Sequence, residues 1–446
     1  MRNFIVLLFS FSSVMLGAQT SMRWEQAYGG GGDDYGYSVK SCPGQGYIVA
    51  GSTSSSGISD GWLIRTDSLG LVMWTKTYGG NNVDVLRSVK ILPDSGYILA
   101  GFSNSAGNGG YDGWALRTDK NGDTLWTKYI GTSDWDFFYD VAPTWDGGFV
   151  FAGGTYGRGN GDEDMYFVKL DANGDTVWTK TWGGVKADEA RSVIQTGDSL
   201  LASCGFTYSL GDSLGDSWIL RMTGVGDTVW TRTINVPNFE DKAWGLSDVN
   251  LFTRFMVVGE TSGTGDADGY FSGFDYNGTL LYIDTTGAIG HDCFSSIVTR
   301  PNGTFAALGS SENLGSGSGD FFFFHDRNGW FETEYGTTGI EQGYSIDITH
   351  DDGYIMCGYT VGFNLAQPNI FLIKTDTSAA TSYVLLVKNP IVSSGMGSVS
   401  IYPNPGNTYT SVFLNTSKNI SDDLELRLYD VSGKLINTYS KSKWEI

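Results

Sequence analysis

The sequence predicts an all-β chain, a seven-bladed β-propeller of four-stranded antiparallel blades. Three columns of residues, each filled seven times, carry that prediction. The aromatic column runs Trp24, Trp74, Trp126, Trp178, Trp230, Tyr282 and Phe331, with gaps of 50, 52, 52, 52, 52 and 49 residues. The acidic column runs Asp60, Asp112, Asp164, Asp216, Asp268 and Asp320 at a constant gap of 52, and Asn369 takes the seventh place. The glycine column is Gly51, Gly101, Gly153, Gly205, Gly259, Gly309 and Gly358. A fixed period of this length, sustained over seven copies, is the signature of a closed or stacked repeat fold.

Each repeat holds four short β signals. In the second they are Leu86–Ile91, Tyr97–Phe102, Asp112–Thr118 and Leu125–Tyr129. Pro93-Asp94-Ser95-Gly96 and Asp119-Lys120-Asn121-Gly122 supply turns between them. Asn-Gly tolerates the positive φ angles that tight hairpins need. The turn recurs as Asp171-Ala172-Asn173-Gly174, Tyr276-Asn277-Gly278 and Asp326-Arg327-Asn328-Gly329. No sustained helical period of apolar residues follows residue 18. A parallel β-helix is the main rival, but it does not need three hairpin turns per repeat. A ring of blades buries the faces of each sheet and leaves only short edges. The repeat begins on the Trp24 strand and ends after Ile370–Asp376, so Trp24 is expected to pair with the third strand of the last blade and clasp the ring.

The rest of the chain divides around the 19–377 propeller. Residues 1–18 read as a secretory signal peptide: Arg2, then an apolar run from Phe4 to Leu16, then small residues Gly17 and Ala18 before Gln19. That run is too short to span a bilayer and no second one follows, so no integral membrane segment is expected after cleavage. Residues 378–398 break the repeat and read as a linker. Residues 399–446 are expected to form a further small β domain. The 49 acidic residues against 28 basic ones give a net charge of −21, which argues against nucleic acid and against anionic membrane surfaces. Acidity of this size suits solubility outside the cell.

Two resemblances follow from particular residues. GYIVAGST (46–53), DGWLIRTD (60–67) and WTKTYGG (74–80) make the propeller region similar to the Asp-Gly-Gly-Tyr-type repeats of secreted bacterial proteins. That resemblance implies the fold and little about function. In the tail, Tyr402, Pro403, Asn404 and Pro405, followed by Tyr429, Asp430, Gly433 and Lys434, resemble the C-terminal sorting domain of the type IX secretion system in Bacteroidetes-like bacteria. This resemblance implies a small β-sandwich recognised by the type IX machinery, and a product that is secreted or attached to the outer-membrane surface. The family's domains are longer, so it implies an incomplete copy. An ordinary small β domain is the alternative.

Candidate chemistry is sparse. The histidines are His291, His325 and His350, in different repeats with no shared spacing, and are expected to be isolated. No Gly-x-Ser-x-Gly, P-loop or His-Glu-x-x-His motif occurs, and no catalytic residues or cofactor are assigned. Cys204 and Cys357 share one repeat position, whereas Cys42 and Cys293 have no such match, so buried thiols are expected rather than disulfides. Asp34, Asp84, Asp136, Asp188, Asp292 and Glu341 recur four residues before the residue opening each first β signal, with Asp241 as the out-of-register equivalent. If that strand lines the axis they could ring one mouth of the channel and take calcium. The alternative is that each caps the preceding Gly-rich loop. The Asp60–Asp320 column follows loops such as Gly107–Gly110 and Gly263–Asp268, where calcium is again possible and a strand-entry cap is the alternative. The Trp column reads as packing between blades. Aromatics that break the repeat are better ligand candidates: Trp135, Phe137, Phe138, Trp145 and Trp244. The expected function is a non-enzymatic extracellular binding or structural module for a glycan or protein. The alternative is a polysaccharide hydrolase or lyase of propeller type.

Overall fold

A computed structural model describes residues 24–376, apart from 45, 212–213, 237, 250–253, 263–266, 288–289, 313–318, 328, 363–364 and 366, together with four short strands beyond 398. The signal-peptide and linker segments, and the motif residues Pro403, Asn404, Pro405, Asp430, Gly433 and Lys434, lie outside the described residues. No described helix is long and apolar enough to cross a membrane.

Seven four-stranded antiparallel sheets form the blades of a β-propeller, as the repeat predicts. Blade one contains Asp34–Ser41, Tyr47–Thr53, Asp60–Thr66 and Val72–Tyr78, paired in chain order. Blades two to six, at 84–130, 136–182, 188–234, 240–286 and 292–335, repeat that order. The seventh sheet runs Trp24–Tyr28, Asn369–Thr375, Tyr354–Thr360, Glu341–Ile348. The clasp inferred from the phase of the repeat is therefore present: the first described strand completes the last blade. By contact density, Ala27–Ile348 with Ile355–Leu372 form one compact unit, and the flanking segments with Thr349–Tyr354 form another. Beyond residue 398, Val399–Tyr402 pairs with Ser411–Leu414 and Glu425–Tyr429 pairs with Leu435–Ser440.

Burial follows position within the blade. Second and third strands are buried on both faces, as in Phe149–Thr155 and Asp164–Leu170, while the fourth strand is largely exposed. The core lies between blades. Ile98, Ala100 and Ala115 of blade two pack with Phe138, Val141, Phe151 and Tyr166 of blade three. The outer tryptophans lock neighbouring blades together, which supports their reading as packing. Trp126 donates Nε1–H to the Ala172 carbonyl at 3.2 Å, Trp178 to Gly224 at 3.2 Å and Trp230 to Tyr276 at 3.0 Å, each on the next blade's hairpin. Each of these rings sits over a turn glycine at positive φ, Gly174, Gly226 or Gly278, where a Cβ would press on the indole.

A second repeated lock sits on the hairpin between first and second strands. A buried cation of the third strand reaches an Asp in that turn: Arg117 to Asp94, Lys169 to Asp146 at 2.7 Å, Arg221 to Asp198 at 2.6 Å and Lys374 to Asp351 at 2.9 Å. All four cysteines are free thiols, and three of them are buried.

Candidate functional site at the channel mouth

The first strand of every blade lines a central channel of about 480 Å³. What it presents there depends on a recurrent bulge. In blades one to six the pairing of first and second strands skips one residue: Tyr37, Arg87, Tyr139, Arg191, Trp244 and Ser295. A bulge leaves its extra residue unpaired and re-aims the side chain. Here all but Ser295 are aromatic or arginine, and all six line the channel, as does Tyr344. The glycine column is what permits the bulge. Gly51, Gly101, Gly153, Gly205, Gly259 and Gly309 lie opposite it, and a Cβ on any of them would run into the backbone carbonyl of Tyr35, Val85, Phe137, Glu189, Lys242 or Cys293.

The bulge residues form an arc of alternating ring and cation. The Arg87 guanidinium lies 4.0 Å from the Tyr37 ring centroid and 5.8 Å from that of Tyr139. Arg191 lies 4.3 Å from Tyr139 and 4.8 Å from Trp244. Such placements are attractive through the ring quadrupole. Tyr344 continues the arc at 5.4 Å from Tyr37. Deeper in the channel Lys90 pairs with Asp140 at 2.8 Å, and Ser88 and Ser192 donate to the same carboxylate at 2.7 and 3.0 Å. Burial opposes ionisation of Asp140, but Lys90 and Ser88 outweigh it and hold the carboxyl below its ordinary range.

An aromatic shelf continues from the arc onto the rim. Tyr139 stacks on Phe137 at 6.0 Å, Phe137 meets Trp135 at 6.3 Å, and Trp135 meets Tyr111 at 5.8 Å and Tyr156 at 6.1 Å. Trp135 is 52% exposed. Of the expected ligand candidates, Trp135, Phe137 and Trp244 therefore come together. Trp145 does not: it sits at the opposite end of blade three, in the hairpin turn, where its backbone N–H donates to the Gln195 side-chain oxygen. Phe138 faces the core and is fully buried.

The rim beside the shelf is charged. Glu163 and Glu189, 6% and 4% exposed, converge with Arg191, whose Nε lies 2.8 Å from Glu189. Burial and the Glu189 charge push the Glu163 carboxyl up to about 8. On the next two blades, Glu240 accepts from Lys242 at 2.9 Å, and Glu260 lies 3.4 Å from His291. His291, expected to be a satisfied or exposed single histidine, stands beside a carboxylate from blade five, Glu260, and near a thiol of blade six, Cys293. These contacts were not visible in sequence because residues 31 and 33 positions apart meet only across a blade junction.

The recurrent acids are placed elsewhere. Asp34, Asp84, Asp136, Asp188, Asp292 and Glu341, with Asp241, are buried and are not among the residues lining the channel. Most accept a backbone N–H from the loop before them: Gly30 to Asp34, Gly80 to Asp84 and Gly184 to Asp188 at 2.8 Å, Thr132 to Asp136 at 2.6 Å, Thr337 to Glu341 at 2.7 Å and Val236 to Asp241 at 2.6 Å. In register opposite stand Thr53, Ser103, Thr155, Thr207, Thr261 and Ser311, and the Thr207 hydroxyl donates to Asp188. The loop-cap reading accounts for this column. The Asp60–Asp320 column opens the third strands, directly opposite the same hydroxyl residues, and Asp112 and Asp164 likewise cap loops through Asn108 and Asn160.

No family model matches the chain, and neither does any curated protein. Among solved structures it is similar to Sqt1 of Chaetomium thermophilum, at 14% identity over 74% of this chain and 80% of that one, TM-score 0.43. It is also similar to an α-L-arabinanase of Penicillium chrysogenum, at 11% identity over 65% and 92%, TM-score 0.44. A gluconolactonase of Xanthomonas campestris is similar at 11% identity over 63% and 82%, TM-score 0.38.

Proposed function

We propose that the protein is a non-enzymatic, extracellular glycan-binding propeller whose ligand docks on the shelf and arc at the channel mouth. The observation that carries this reading is the arc of rings and cations formed by Tyr37, Arg87, Tyr139, Arg191, Trp244 and Tyr344, continued by the exposed Trp135. Aromatic faces accept the C–H faces of sugar rings, and arginines hydrogen-bond to hydroxyls or carboxylates. Export through a signal peptide at 1–18 and sorting by the type IX machinery through 399–446 belong to the same proposal. They rest on the sequence motifs, with secretion or attachment at the outer-membrane surface as the outcome.

A second reading, a polysaccharide hydrolase or lyase, is favoured by one observation, the Glu163–Glu189 pair with one carboxyl pushed far upward. A carboxyl held protonated by burial beside a second carboxyl is an arrangement that general acids use. Their burial favours the binding reading, because a general acid must come within hydrogen-bond reach of its substrate.

The test is a glycan-binding panel with the whole protein, run with calcium and again with chelator, alongside Trp135→Ala and Arg87→Ala. Binding lost at least about tenfold in both variants, about 1.4 kcal/mol, supports the site. A flat panel sinks the glycan reading and turns the search to protein partners. Release of reducing ends or unsaturated products selects the enzyme reading. Loss in chelator alone would support the calcium expectation.

A further inference from the structure

Glu260, His291 and Cys293 each offer one ligand atom, and those atoms all lie within 4.8 Å of one another. We infer that this triad is a binding site for a zinc-class divalent ion, built at the junction of blades five and six, with three protein ligands and a fourth position open to solvent.

The donor set is the first argument. A thiol, an imidazole and a carboxylate are the three side chains that zinc takes, and a borderline-soft ion is selected by having all three. Geometry is the second. For bond lengths of roughly 2.0–2.3 Å, tetrahedral ligand atoms stand roughly 3.3–3.8 Å apart. The Glu260 Oε2–His291 Nε2 separation of 3.4 Å already matches one edge. Position is the third. His291 directly precedes the first strand of blade six and Cys293 is its second residue, so the two flank Asp292, which points into the buried cap. Alternation along a strand puts residues two apart on one face.

The triad is also a departure from the repeat. In register, Cys293 stands where other blades have Tyr35, Val85, Phe137, Glu189 or Lys242, and none of these offers a thiol or imidazole. Folding of a blade does not require such a set, since the other six blades fold without it, Gln342 holding the equivalent place in the last. Glu260 is 8% exposed, so its carboxylate needs partners, and its neighbour Lys242 is engaged by Glu240 at 2.9 Å. The His291 side chain is 49% exposed, which leaves solvent access for the fourth ligand. Three protein ligands and an open position describe a site where the ion can still take a ligand group. Trp244 of the channel arc lies close to Glu260 and so adjoins the triad. The inference does not depend on glycan binding.

Cobalt(II) titration of the whole, metal-stripped protein is the test. Binding is expected to produce a thiolate-to-cobalt charge-transfer band, with loss of the Cys293 proton to solvent, and zinc(II) is expected to bleach it. Cys293→Ser should abolish the band, and Cys42→Ser should keep it. His291→Gln, a change at a half-exposed position, should weaken cobalt binding at least about tenfold while the folded spectrum is unchanged. No charge-transfer band in the folded wild type, or an undiminished band in Cys293→Ser, would overturn the inference.

Discussion

Replacing Asp198 by alanine tests whether the third-strand cations are true structural ties. Arg221 is fully buried in blade four, and its Nη2 donates to both oxygens of Asp198, at 2.6 and 2.7 Å. It also donates to the Thr196 hydroxyl at 2.6 Å, and its guanidinium carbon lies 4.7 Å from the Tyr276 ring and 5.9 Å from the Phe255 ring. Asp198→Ala removes two charge-assisted bonds from a buried guanidinium; because the Asp198 side chain is 36% exposed and water can enter there, the expected loss is at the low end for a buried pair, about 3 kcal/mol. Orphaning one member of a buried pair costs roughly 3–5 kcal/mol. Replacing both members by apolar groups costs far less, because no charge is left behind. Adding Arg221→Met to Asp198→Ala should therefore recover most of the loss and end within about 2 kcal/mol of the wild type. Urea unfolding followed by tryptophan fluorescence reads both. Acid adds an independent check. Burial works against ionisation of Asp198, but Thr196 and Arg221 hold its carboxyl below the ordinary range. Its contribution is thus complete above the ordinary carboxylate value and fades as pH falls through the lowered one. A single variant that loses less than about 1 kcal/mol, or a double variant no better than the single, would refute the argument.

Two further perturbations follow from the channel mouth. Glu163, facing Glu189, Arg191 and Tyr156, is pushed from an ordinary 4.5 to about 8, first by burial and then by Glu189. The folded chain therefore holds a proton that the unfolded chain has lost between those values, and stability drains away as pH rises through that window. Glu163→Gln should flatten this slope, so its thermal midpoint should gain on the wild type from pH 5 to pH 9; parallel curves would contradict the assignment. At the bulge, Gly101→Ala would push a methyl into the Val85 carbonyl, and neither backbone can yield without breaking the ladder. A loss of more than about 3 kcal/mol, or an insoluble product, is expected from urea unfolding, against about 1 kcal/mol of gain if glycine were merely flexible there.

The ring was legible because its physics repeats. An outer aromatic at gaps of 49 to 52 residues and an acid at the entry of each first strand recur for the same packing reasons around the ring, and in most blades a turn glycine lies beneath the aromatic. Phase alone placed Trp24–Tyr28 in the last sheet. The site was less legible because it is made of exceptions. Trp135, Phe137 and Trp244 stood out as breaks in the repeat and do meet at the mouth. Trp145 broke the repeat equally well and lies at the other end of its blade, since one-dimensional irregularity does not say which end of a strand a residue occupies. Arg87 and Arg191 escaped notice because a strand reading assigns them to ordinary register positions, whereas the bulge turns them inward. The glycine column was the available signal: a glycine held in every repeat marks a close backbone approach. Glu260 could not be grouped with His291 and Cys293 from spacing, because its proximity to them arises from blades packing side by side.

The bulge has a consequence for how such a chain can change. A residue left out of the hydrogen-bond ladder is excused from the pairing rules that constrain its neighbours. Six bulge positions already hold tyrosine, arginine, tryptophan and serine on nearly identical backbones. The mouth is in effect a short word spelled around a circle, each letter replaceable without rewriting the page beneath it. New recognition can then arise by single substitutions, while the glycine opposite each letter preserves the place where it is written.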